Sequence, residues 1–131
     1  MSPSEPVVKL LGAAAIFSVA DVAVSIAYYR DVLGFAVEFE WGAPVSYACL
    51  CRDEVALQLA ASELAERPAG QSALSIFVAD VDALYAELLA RGARITAPLA
   101  DRPYGMRDFN ALDPDGNTLV FGMSAAARHG A

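Results

Sequence analysis

The chain has 131 residues and a formal net charge of −7, from sixteen acidic and nine basic side chains. This length predicts one domain over residues 1–131, and the negative charge disfavours a nucleic-acid partner because it repels a phosphate backbone. No apolar run approaches the roughly 18 residues of a membrane-spanning helix, and residues 1–9 lack the pattern of a signal peptide, so we expect a cytoplasmic protein.

A short motif occurs twice along the chain. Val-Ala-Asp-Val spans residues 19–22 and returns at residues 78–81, and each copy precedes a segment that ends at a glycine, Gly34 or Gly92. The aspartate of each motif stands where a helix N-cap is expected, and apolar residues follow it at helical spacing. The repeat therefore predicts two similar modules, each with a strand followed by an amphipathic helix.

Eight strands are predicted from apolar runs that are bounded by turn residues. They cover residues 13–19, 35–41, 45–52, 55–60, 73–78, 93–97, 106–112 and 118–123. Their order is β-α-β-β-β in both halves, with module one at about residues 11–60 and module two at about residues 73–123. Residues 61–72, which contain proline, glycine and polar side chains, are predicted to be the linker.

Alternation within the strands predicts which face packs beneath the helices. In the fourth strand the large apolar side chains are those of Leu57 and Leu59, so Gln58 points to the opposite face. Tyr47 and Cys49 are predicted to share the face of Gln58. That face is the candidate cleft.

These motifs resemble the glyoxalase, bleomycin-resistance and ring-cleaving dioxygenase superfamily, also called vicinal oxygen chelate proteins. The resemblance covers roughly residues 11–123 and is carried by Val-Ala-Asp-Val-Ala-Val-Ser-Ile-Ala-Tyr-Tyr-Arg-Asp-Val-Leu-Gly-Phe at 19–35, the second motif at 78–81, and Asp-Pro-Asp-Gly-Asn at 113–117. It implies an α+β fold in which two βαβββ modules form a cupped eight-stranded sheet with helices outside. It also implies a homodimer.

Metal-using members of this superfamily carry ligands on the first and last strands of each module. Counted from the motifs, these positions fall on Ala14, Gln58, Ala73 and Val120. Methyl and isopropyl groups cannot ligate, and one neutral amide cannot hold a transition metal that needs about four N or O ligands. We therefore predict no metal cofactor, as in the metal-free bleomycin-resistance-like members.

Nucleophilic catalysis also lacks its usual residues. His129, the only histidine, lies in a tail of small residues that is typical of a solvated terminus. Cys49 and Cys51 stand two residues apart in one strand and are poorly placed to bond to each other. No Ser–His or Cys–His pair can be assembled in the predicted core, so the sequence identifies no catalytic residue.

What remains is a cleft with aromatic walls. The residues predicted to bind a ligand are Trp41, Tyr47, Cys49, Gln58, Tyr104, Arg107 and Phe109. Tyr104 is favoured because an aromatic loop residue over a cleft can stack on a ligand. Two alternatives stay open: Arg107 could form a surface ion pair with Asp108, and Trp41 could belong to a strand that is half core and half solvent-exposed.

Two functions follow from the resemblance and from the missing ligands. The first is a metal-free small-molecule binding protein that resembles bleomycin-resistance proteins and sequesters an antibiotic or another aromatic or cationic compound. The alternative is a glyoxalase-like lyase or isomerase acting on a small oxygenated substrate. A dimeric scaffold without a ligand is a third class, and the sequence does not identify the compound.

Overall fold

The computed structural model describes residues 8–128, so His129 lies outside the described residues. The first module contains β1 (Ala15–Val19), α1 (Val22–Asp31), β2 (Ala36–Trp41), β3 (Tyr47–Arg52) and β4 (Val55–Ala61). A short helix, α2 (Ser62–Ala65), follows it. The second module contains β5 (Ala73–Phe77), α3 (Val81–Ala90), β6 (Arg94–Asp101), β7 (Met106–Leu112) and β8 (Thr118–Ser124), and α4 (Ala125–Arg128) comes after it.

The strands form two four-stranded sheets with the same internal order. Sheet A has the order β1-β4-β3-β2 and sheet B the order β5-β8-β7-β6. The first strand of each module runs parallel to the last, and the other neighbours are antiparallel. This arrangement confirms the α+β class and the two βαβββ modules. No helix within the described residues is long and apolar enough to cross a membrane.

Both long helices begin at the aspartates predicted as N-caps. Oδ1 of Asp21 accepts a hydrogen bond from the backbone N–H three residues later at 3.1 Å, and Asp80 does the same at 3.0 Å. Gly92, with φ +89°, directly follows the C-cap of α3, as predicted. Gly34, with φ +77°, lies one residue further from the C-cap of α1.

Most predicted strand bounds lie within two residues of those in the structure, and two predictions differ by more. β6 continues past Ala97 to Asp101, although Pro98 interrupts the run. It does so because β6 is an edge strand of sheet B, where a missing N–H need not break the sheet. The predicted linker of residues 61–72 is not wholly irregular, since α2 forms within it.

One hydrophobic core contains side chains from both modules. The predicted interior side chains of α1 are all buried: Val22, Ile26, Tyr29 and Leu33. Leu57 and Leu59 in sheet A and Leu119 in sheet B are fully buried beneath the helices, which confirms the predicted alternation. The helix sides of the two sheets therefore meet in one core, and the opposite sides, called the outer faces below, point away from it.

A buried polar network joins the modules at the turn of residues 113–117. Tyr29 of α1 donates its hydroxyl to Oδ2 of Asp113 at 3.0 Å, and the Asn117 side chain donates to the same carboxylate at 2.9 Å and to the Ser18 carbonyl at 3.1 Å. Oδ1 of Asp113 accepts from the backbone N–H groups of Asp115 and Asn117. Burial, with Asp113 beside it, raises the pKa of Tyr29 far above its usual range. This motif thus holds module two to module one.

Candidate functional site

Four of the predicted ligand-binding residues lie together on the outer face of sheet A. Cys49 pairs with Gln58 on one side and with Phe39 on the other, and Tyr47 pairs with Trp41 in the next row. Ile16 lies beside Gln58 across the β1–β4 pairing. We call this set the aromatic face, which consists of Ile16, Phe39, Trp41, Tyr47, Cys49 and Gln58.

The aromatic face is unusually open for apolar side chains. Ile16, Phe39 and Trp41 are 46%, 50% and 58% exposed, whereas Leu57 and Leu59 on the other side of the same sheet are fully buried. Exposed apolar residues that adjoin one another in this way mark surfaces that contact a ligand or another protein.

Tyr47 supplies a polar group within this apolar surface. The thiol of Cys49 donates to its hydroxyl oxygen at 3.5 Å, and its ring packs edge-on against Phe39 with 6.3 Å between centroids. Two causes raise the pKa of Tyr47: the hydrogen bond with Cys49 is the larger, and partial burial is the smaller. The hydroxyl therefore keeps its proton at neutral pH and can donate it in a hydrogen bond to a ligand.

Tyr104 lies in module two, in the turn between β6 and β7. It is 67% exposed, and its hydroxyl donates to Oδ2 of Asp108 at 2.6 Å. Arg102 donates to the other oxygen of Asp108 at 2.8 Å. Asp108 pairs with Gly122 of β8 and belongs to the outer face of sheet B. The bond to Asp108 raises the pKa of Tyr104 and holds the exposed ring by its tip.

The structure corrects the prediction for Arg107. Its side chain points to the helix side, where its guanidinium pairs with Asp82 of α3 at 2.7 Å and with Asp101 at 3.3 Å. The predicted alternative, a pair with Asp108, is also wrong, because neighbouring residues of a strand point to opposite faces. Two carboxylates already bind Arg107, and it is not available to an anion in the cleft.

Phe109 is likewise not a residue of the cleft. It is fully buried and stacks on Phe121 with 5.2 Å between ring centroids, and Tyr85 of α3 contacts its edge at 4.9 Å. Phe109 pairs with Phe121 in the β7–β8 register, and both side chains pack beneath the helix. Its contribution is to the core rather than to a ligand.

Sequence reasoning missed several outer-face residues. Asp108 and Asn110 alternate with buried Phe109 and Ala111, so the parity of β7 would have identified them. Phe39 is not among the predicted ligand-binding residues, yet it lies in the same row as Cys49 and Gln58. Arg67 belongs to the linker, and no periodic signal there indicates that it reaches the sheet.

Two concavities of ligand size lie among the residues that the structure describes. One, of about 440 Å³, opens on the aromatic face and is lined by Ile16, Tyr47, Ala60, Leu64, Ala65 and Arg67. The other, of about 720 Å³, lies between the modules and includes Arg52 and Glu87, which form a two-bond ion pair at 2.9 and 3.0 Å. Arg52 lowers the pKa of Glu87, and the pair links α3 to sheet A. Because Ile16 and Tyr47 of the aromatic face line the smaller concavity, and exposed Trp41 pairs with Tyr47, we take it as the candidate site.

A family model matches residues 11–121 and describes the glyoxalase/bleomycin resistance protein/dioxygenase superfamily. The chain belongs to this superfamily. Among curated proteins, no sequence matches it.

Several solved structures are similar in fold to this chain. One is the bleomycin-binding protein from bleomycin-producing Streptomyces verticillus, complexed with copper(II)-bleomycin. It is 28% identical in sequence, the alignment covers 88% of this chain and 97% of that protein's chain, and the TM-score is 0.74. A glyoxalase/bleomycin resistance protein from Catenulispora acidiphila is 27% identical over 87% and 98% of the two chains, with a TM-score of 0.69. TnmS3, an antibiotic-binding protein from a Streptomyces species, is 23% identical over 86% and 93%, with a TM-score of 0.72, and shows the likeness of fold.

The ligand positions of metal-using superfamily members do not form a metal site here. Gln58 lies between Ile16 and Cys49, and Val120 lies between Ser75 and Asn110. Within the part of the chain that the structure describes, no three His, Cys, Asp or Glu side chains are grouped to hold a metal ion. The residues present at these positions therefore do not fit a transition metal.

Proposed function

We propose that the protein binds a flat aromatic small molecule, an antibiotic or a compound of similar chemistry, against the aromatic face and sequesters it. The observation that carries this proposal is the exposure of Ile16, Phe39 and Trp41 on a sheet whose other side is closely packed. The relation to the bleomycin-binding protein supports it, since that protein is complexed with copper(II)-bleomycin. We also propose that no metal held by the protein takes part.

The aromatic face offers both burial and orientation to such a ligand. Stacking on Trp41 or Phe39 contributes about 0.5 to 1.5 kcal/mol per aromatic pair beyond the buried area. The hydroxyl of Tyr47 and the amide of Gln58 supply the few polar groups that fix a ligand's orientation in a mostly apolar pocket. Both thiols, of Cys49 and Cys51, are free, as is usual in the cytoplasm, where we propose that the protein acts.

A second copy of the chain is proposed to complete the site. The two sheets share a core on their helix sides, so the outer face of sheet B cannot cover the aromatic face of the same chain. The outer face of sheet B carries Phe77, which is 77% exposed and pairs with Gly122. Gly122 pairs in turn with Asp108, which holds the Tyr104 hydroxyl. Placing this face of one copy over the aromatic face of another buries apolar surface on both and forms a symmetric homodimer.

The dimer is tested by sedimentation at micromolar concentration. We expect a single species of twice 13.8 kDa in the wild-type protein. Phe77→Glu is expected to shift this species towards the monomer, because it would bury a charge in the interface. A wild-type protein that sediments only as a monomer would contradict the proposed pairing.

The binding function is tested by a thermal-shift screen against aromatic antibiotics, followed by calorimetry on the compounds that shift the melting temperature. A compound at a hundredfold excess over Kd stabilises the folded protein by about 2.7 kcal/mol. We expect Trp41→Ala to weaken binding by about tenfold, which corresponds to 1.4 kcal/mol. Leu89→Ala is the matched control, because Leu89 is 49% exposed but lies on α3. Equal affinity in wild-type protein and both variants would place the site elsewhere.

A further inference from the structure

Arg67 differs from most arginines of this acidic chain. Five others pair with carboxylates: Arg30, Arg52, Arg91, Arg102 and Arg107. Arg67 forms no ion pair with a described residue, and its guanidinium donates one hydrogen bond, from Nη2 to the carbonyl of Ile16 at 2.6 Å. A guanidinium carries several N–H donors in a planar fork, so most of its donor capacity remains open.

The position of Arg67 is fixed by the fold. The hydroxyl of buried Ser18 donates to the Arg67 carbonyl at 2.8 Å, and the backbone N–H of Gly70 donates to the Ser18 carbonyl at 3.2 Å. Together with the bond to Ile16, these contacts hold the linker along the outer edge of β1. A positioned guanidinium loses less side-chain freedom when it binds a second group.

Among the residues that the structure describes, Arg67 is also the only charged one that lines the pocket on the aromatic face. The other lining residues are apolar or aromatic: Ile16, Tyr47, Ala60, Leu64 and Ala65. Apolar walls lower the local dielectric and strengthen a charge-assisted hydrogen bond within the pocket. The described lining residues include no carboxylate, so within this pocket the guanidinium is held only by the carbonyl of Ile16.

We propose that the ligand is an aromatic carboxylate and that Arg67 binds its carboxylate group while the ring lies on the aromatic face. This inference rests on the proposed function and names the chemical class of its ligand. The net charge of −7 repels anions from most of the surface, so a carboxylate would be held only where a local cation reverses the sign. The cationic ligand expected from net charge alone would be repelled at this end of the site.

A purely structural role for Arg67 predicts a different result. Its bond to the Ile16 carbonyl covers an exposed backbone group of an edge strand, and loss of that bond alone would change stability but not the preference for ligand charge. Arg67→Gln keeps an amide donor for the Ile16 carbonyl and removes the positive charge. Arg67→Lys keeps the charge and loses the planar fork.

The experiment measures binding of three naphthalene probes by calorimetry: naphthoate, neutral naphthamide and the naphthylmethylammonium cation. We expect the wild-type protein to bind naphthoate at least about tenfold more tightly than naphthamide, and the cation most weakly. Arg67→Gln is expected to bring naphthoate and naphthamide to equal affinity, and Arg67→Lys to retain part of the preference. Arg30→Gln is the matched control, because it removes the same charge from an exposed ion pair on α1 and should leave the preference unchanged.

The outcomes separate this inference from the proposed function. Equal wild-type affinity for naphthoate and naphthamide, with both weakened by Trp41→Ala, would overturn the role of Arg67 and leave the aromatic site in place. A naphthoate preference that survives in Arg67→Gln would also overturn it. Failure of all three probes to bind the wild-type protein would count against the aromatic site itself, and the inference would fall with it.

Discussion

The helix side and the outer face of the same strands differ in how completely other residues of the chain bury their side chains. On the helix side Leu57, Phe109 and Leu119 are fully buried, and the carboxylate of Asp113 accepts four hydrogen bonds. On the outer face Trp41 is more than half exposed. One face is covered by other residues of the chain, whereas the other leaves apolar side chains exposed.

This difference arises from alternation along single strands. In β7 buried Phe109 and Ala111 alternate with Asp108 and Asn110, so adjacent residues serve unrelated purposes. Substitutions on the two faces should therefore have separable effects. Changes on the helix side should reduce stability, and changes on the outer face should reduce affinity with little loss of stability.

The largest effect is expected from Asp113→Ala. The substitution leaves the Tyr29 hydroxyl, the Asn117 amide and two backbone N–H groups without their buried acceptor, and we expect the free energy of unfolding to fall by about 3 kcal/mol or more. Urea unfolding measures this loss. Asp31→Ala removes an exposed carboxylate paired with Arg30, and because solvent screens that pair the substitution should change stability far less than Asp113→Ala does. A similar small loss in both variants would mean that the network does not hold the modules together.

Tyr104→Ala is expected to have a smaller effect, and on affinity instead. Removing the exposed ring should weaken binding of a compound found in the antibiotic screen by about tenfold, or 1.4 kcal/mol. Tyr104→Phe keeps the ring and loses only the bond to Asp108, so calorimetry should show a smaller loss of affinity. Urea unfolding should give similar stabilities for both variants and the wild type. A loss of stability without a loss of affinity would assign Tyr104 to the fold rather than to the site.

The smallest effect is expected at the ion pair between Arg52 of sheet A and Glu87 of α3. Its hydrogen bonds to Arg52 lower the pKa of Glu87 in the folded protein, so the folded state binds this proton less readily than the unfolded state. The resulting stabilisation is complete above the unfolded pKa, about 4.3, and is lost as pH falls through the lowered folded pKa.

Glu87→Gln tests this pH dependence. Both side chains are about one third exposed, 29% and 34%, and solvent screens the pair, so we expect the variant to lose less than about 1 kcal/mol at neutral pH. The difference from wild type should shrink when urea unfolding is repeated at a pH low enough to protonate Glu87 in the folded wild-type protein, because the charge pair is then lost. A difference that is the same at both pH values would assign the effect to packing rather than to charge.

Local patterns allowed much of the fold to be predicted. The two wrong site residues, Arg107 and Phe109, both lie on β7, where alternation of the side chains decides which face each residue joins. The N-caps at Asp21 and Asp80 and the alternation around Gln58 depend on residues within a few positions, so sequence alone suffices for them. The same alternation along β7 puts Asp108 and Asn110 on the outer face, so Arg107 and Phe109 belong to the opposite face and not to the cleft. Their register against β8 places both beneath α3.

The sequence by itself determined the duplicated module, the helix boundaries near the two aspartates, and the side chains at the four positions where related proteins bind metal. Only the tertiary structure decided which distant groups meet. Asp113 meets Tyr29 across 84 residues, and Arg67 reaches the carbonyl of Ile16 across 51. Periodicity and capping act over a few residues along one element, whereas these contacts depend on how the modules and the linker pack, which no local pattern encodes.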